Sequence, residues 1–119
     1  MAIVTLTPIE APADGAAAVT ITRTSSLSTS NTYRFLNDGA TILLFEKTGA
    51  GACTVTATTT AEANGIAVAN PTYTVAASTG DVVIGPFACN IFNDDDGYTA
   101  FTVSEATGLS VAVVQVPKR

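Results

Sequence analysis

The chain predicts an all-β fold, an antiparallel β-sandwich or jelly roll of about nine or ten short strands. Three features carry that expectation. Short runs rich in Val, Ile, Thr, Tyr and Phe alternate apolar with polar residues, the period of a strand with one buried face. Turn signals separate these runs at intervals of roughly 8–12 residues, the spacing of all-β domains. No segment shows convincing helical periodicity or a heptad, collagen or solenoid repeat.

The elements follow in order. Residues 3–7 read as a short strand ended by Pro8, and residues 9–15 as a loop, since Pro12 bars regular pairing and Asp14-Gly15 is a turn pair. Residues 18–24 alternate, with Val19 and Ile21 opposite Thr20, Thr22 and Thr24. Asp38-Gly39 lies between residues 32–37 and 41–46 and reads as a type I′ hairpin, because Gly accepts positive φ and Asp tolerates it. Residues 42–45 are apolar on both faces. This strand is expected to be central, covered by the core and by a neighbouring subunit or loop.

After the KTGAG turn at 47–51, residues 52–60 set Cys53, Val55 and Ala57 against Thr54, Thr56 and Thr58. Strands are further expected at 72–76 with Tyr73 and Val75 inward, at 82–84, at 90–92, at 98–104 with Phe101 and Val103 together, and at 110–116. Residues 15–19 and 61–69 have room for a helical turn, and Asn64-Gly65 breaks the second.

The chain's 119 residues fit one domain. A chain of this size buries roughly 65% of its unfolded surface, enough for a core without staples. Residues 1–17 form a strand and loop, a candidate docking arm, and 18–119 the sandwich. Mean hydropathy is +0.38, which leaves room for an oligomer interface or docking face.

Composition removes whole classes of chemistry. There is no His, the commonest general base and transition-metal ligand. Net charge is −5 and the five basic residues are scattered, only Lys118 and Arg119 being adjacent. Phosphate binding wants clustered cations, so nucleic acid and anionic membrane are unlikely partners by this reading. No apolar run approaches the roughly 20 residues of a membrane-spanning helix, and the N-terminus lacks the positive region of a signal peptide. Cys53 and Cys89 read as small buried hydrophobes, with a disulfide as the alternative.

Each remaining motif has a structural reading beside its chemical one. Asp94, Asp95 and Asp96 suggest an oxygen site for Ca²⁺, but Phe92 and Val103 stand where an EF-hand loop requires carboxylates. A solvated turn held by Asx bonds is the preferred reading. Gly49 to Ala52 lacks the Gly-Lys-Ser/Thr of a phosphate loop. Glu46, Glu62 and Glu105 show no pairing of the kind glycosidases use. No enzyme and no cofactor is expected.

The segment order from Thr32 to Val116 resembles small tailed-phage virion proteins, the β-sandwich capsid decoration (cement) proteins. The likeness lies in YRFLNDGATILLFEKTGAGACTVTAT, then NGIAV and YTVAASTGDVVIGPF, then NDDDGYTAFTVS and LSVAVVQV. The resemblance implies a homo-oligomer, a trimer above all, on the outer capsid surface of the virion after assembly in the host cytoplasm. It would bridge subunits of the major capsid protein and stabilise the shell. Met1 to Pro12 would serve as an arm. Ile3, Val4 and Leu6 are the expected contacts, with Tyr33, Leu43 and Phe87 as anchors or, alternatively, as core. The competing reading is a tail, fibre or surface module that binds a receptor or glycan, with Tyr98 and the Asp94–Asp96 turn as its site.

Overall fold

The computed structural model describes residues 3–10, 18 and 20–116. Nine strands form two sheets. The first has the order β1(Ile3–Leu6), β3(Thr32–Leu36), β10(Tyr98–Val103), β5(Cys53–Ala57), β8(Thr72–Val75). The second has the order β2(Ile9–Glu10), β11(Leu109–Gln115), β4(Thr41–Lys47), β9(Gly80–Ile84). A separate ribbon pairs β6(Glu62–Ala63) with β7(Ile66–Ala67) around Asn64-Gly65. The smallest extent is 23 Å, the thickness of two sheets packed about 10 Å apart with side chains on their outer faces.

Period-two burial sets the inward rows. Cys53, Val55 and Ala57 are buried on β5, Thr99, Phe101 and Val103 on β10, and Thr41, Leu43, Phe45 and Lys47 on β4. The rings meet at Phe101. Tyr33 stacks on it at 5.7 Å, Phe35 lies tilted at 6.2 Å, and Phe45 meets it edge-on at 5.6 Å from the opposite sheet. Phe87 extends the cluster to Phe35 and Phe92.

The expected β-sandwich is present, with four differences of detail. The sheets are mixed rather than purely antiparallel: β1 runs parallel to β3, and β2 parallel to β11. Asp38-Gly39 makes no hairpin, because β3 and β4 belong to different sheets. The turn is an arch that sets Phe35 and Phe45 on opposite walls of one core. Gly39 has φ 92°, and Asp38 Oδ1 accepts from the Ala40 amide at 2.9 Å.

The strand expected at 18–24 shortens to one bridge, Thr24 with Val111. Continuing that antiparallel register would set Ile21 opposite Val114, where β2 already lies. Val19 lies outside the described residues. Finally, 90–92 is not a strand; Cys89–Phe92 is a helical turn, α1. It folds Phe92 back onto Phe87, with centroids 5.2 Å apart.

Of the expected arm, residues 3–10 are paired into both sheets, while Met1, Ala2 and residues 11–17 lie outside the described residues.

Phe101→Ala is expected to cost about 3–5 kcal/mol, the usual loss for a buried Phe, measured by urea denaturation. Hydrogen bonding from Ala40, ahead of those from Gln115 and Thr41, holds the Asp38 carboxyl below its ordinary 3.8. Because the folded value is depressed, its contribution is present above the unfolded value and lost as pH falls through the lower folded one. Asp38→Asn is expected to lose less thermal stability than wild type on acidification below about pH 4, where that carboxyl titrates.

Candidate docking surfaces

With the core filled, the outer sheet faces are what the molecule presents. The first sheet's outer face is mostly hydroxyls. Thr54 and Thr74 stand directly opposite, as do Thr56 and Thr72, and Thr56 and Thr102. Threonine's β-branch suits the strand and its hydroxyl keeps the surface hydrated. Arg34 sits among them, its Nε donating to Thr5 Oγ1 at 2.9 Å and its guanidinium 4.1 Å over the Tyr98 ring.

The second sheet's outer face differs. Register and alternation set its side chains in three rows. Ile9, Val114 and Ile42 form the first, Ala112, Leu44 and Val83 the second, and Ser110, Glu46 and Asp81 the third. Two apolar rows therefore end in a row with two carboxylates. Val83 is 63% exposed. Arg23 reaches across β11 to donate to the Leu44 carbonyl at 3.2 Å. Ile42 and Leu44 are half-buried on this outer side, so the expected two-sided apolar character of β4 is present.

Glu46 and Asp81 oppose each other across neighbouring strands, where like charges repel. Neither carboxylate has a hydrogen bond or ion pair among the described residues. The three described cations act elsewhere: Arg23 on Leu44, Arg34 on Thr5 and Tyr98, and Lys47 on the Thr107 carbonyl. A cavity of about 300 Å³ lies beside the pair, lined also by Lys47, whose Nζ is held by the Thr107 carbonyl, and by Thr48, Ser78, Thr79 and Gly80.

The six expected contact residues divide. Leu6, Tyr33, Leu43 and Phe87 are core, none more than 6% exposed. Val4 packs partly against that core. Ile3 is exposed, at the rim of the threonine face. Asp81 and Val83 were not singled out by the sequence, since their place beside Glu46 and Leu44 depends on the pairing of β9 with β4.

The other motifs serve the fold. Asp94 Oδ1 accepts from the Asp96 and Tyr98 amides, both at 2.9 Å, closing the acidic turn on itself. Among the described residues no three acidic, Cys or His side chains gather to hold a metal. Gly49 allows two loops to touch: a Cβ there would lie 2.3 Å from the Thr107 oxygen. Cys53 is buried and Cys89 exposed, and both are free.

Asn37 and Asn93 lock α1 and the acidic turn to the end of β3. Asn37 Nδ2 donates to Asn93 Oδ1 at 2.8 Å and to the Phe87 carbonyl at 3.1 Å, and Asn93 Nδ2 donates to the Asn37 carbonyl at 2.9 Å. Asn37→Asp replaces the donating amide by a carboxylate oxygen that faces two acceptors, and is expected to cost about 1–3 kcal/mol in urea denaturation.

No protein-family model, curated protein or solved structure matches this chain.

Proposed function

We propose that the chain is a viral structural protein that binds the outer surface of an assembled phage capsid and stabilises it by bridging major capsid subunits. The observation that carries this reading is the outer face of the second sheet, where one apolar row crosses β2, β11 and β4 and a second crosses β11, β4 and β9, with no covering strand among the described residues. Such a face on a closed sandwich suits a protein that works by contact. The resemblance in segment order supplies the shell as the partner, and a trimer as the arrangement.

The receptor- or glycan-binding alternative gains nothing from its proposed site. Tyr98 is half-buried beneath Arg34, and Asp94 is spent on the turn's own amides.

Quantitative mass spectrometry of purified source particles tests the proposal. The expected result is a copy number in simple ratio to the major capsid protein. A few copies per particle would move the protein to the tail or fibre, and absence from particles would overturn the virion reading.

A further inference from the structure

On the outer face of the second sheet, charge and apolar surface meet. The Val83 and Leu44 row borders Glu46 and Asp81, which face each other with no cation of the described chain to pair them. Directly opposed like charges destabilise an isolated sheet. A partner cation placed over both would relieve that repulsion, and the adjoining cavity of about 300 Å³ gives a long side chain somewhere to enter. The threonine face offers no such demand, since its one cation, Arg34, is already engaged by Thr5 and Tyr98.

We infer that the outer face of the second sheet is the docking face, and that its occupant is a protein surface with an apolar patch beside at least one Lys or Arg. The inference rests on the decoration reading, under which that surface belongs to the outside of the major capsid protein. Ala112 is already covered within the chain, so Val83 and the half-buried Leu44 exclude water at the centre of the contact, and the carboxylate pair fixes its register at the rim. Exposed charges attract across only about a Debye length, near 10 Å at 0.1 M salt, so docking weakens as salt rises.

The test is co-sedimentation with capsid shells purified without this protein, at low and high salt. Val83→Asp and Asp81→Lys are each expected to weaken binding at least tenfold, while Thr54→Lys on the opposite face leaves it unchanged. Asp81→Lys also guards against misfolding as the cause: opposite Glu46 it replaces repulsion by attraction, so the free variant should melt no lower than wild type. Wild-type binding that survives both second-sheet variants, or that fails with the threonine-face variant, overturns the inference and leaves the decoration reading standing. Wild type that binds no shell overturns that reading and the inference with it. An oligomer in solution that Val83→Asp dissolves, with shell binding intact, makes the occupant a second copy and overturns the proposed partner.

Discussion

The ring of Phe101 must be enclosed from both sheets at once. Tyr33 and Phe35 reach it from the neighbouring strand, and Phe45 from across the sandwich. Those partners stand on β3 and β4, consecutive in the chain but in different sheets. The chain between them therefore arches over the edge of the core instead of folding back in plane. The same demand recurs from β4 to β5, from β8 to β9 and from β10 to β11. Repeated crossing ties each wall covalently to the other.

Arches leave two ends of the sandwich to be sealed, and each is sealed by polar groups. At one end the reciprocal amides of Asn37 and Asn93 do it, with Thr99 Oγ1 donating to Asn93 Oδ1 at 2.9 Å. At the other, the buried Lys47 ammonium donates to the Thr107 carbonyl, while the Thr48 amide donates to the Gly108 carbonyl at 3.0 Å. Burying an amine is costly unless it is bonded. No buried side-chain nitrogen or oxygen among the described residues lacks a partner. The described interior is thus satisfied from within, whereas Glu46 and Asp81 oppose each other on the surface.

Alternation made much of this fold legible. The inward rows of β5 and β10 are the residues whose period-two spacing predicts them. Turn chemistry was legible only in part. Asp38-Gly39 does reverse the chain, but positive φ at a glycine serves an arch as well as a hairpin, and only the distant partner of each strand decides between them. Strand partnership is also what hid the meeting of the two carboxylates on the second sheet. Glu46 and Asp81 stand far apart along the chain, and nothing local in either segment announces that they oppose each other. Residues 18–24 alternate well, yet they lose most of their ladder because β2 occupies the edge they would have used. Leu6, Tyr33, Leu43 and Phe87 have the size and apolarity of interface anchors, and burial is what separates them from Val83.

The parallel pairing of β2 with β11 sets Ile9 beside Val114. A ribosome delivers Ile9 early and Val114 late, so this seam cannot form until nearly all of the intervening chain has emerged. High contact order of this kind slows folding, because loop closure must precede the contacts that reward it. Until then the edge of β11 has no neighbour at Val114, and β1 and β2 have only one sheet to grip. The segment of β1 and β2 thus acts as a late fastener, and the last part of the sandwich to mature is the side where β2 meets β11.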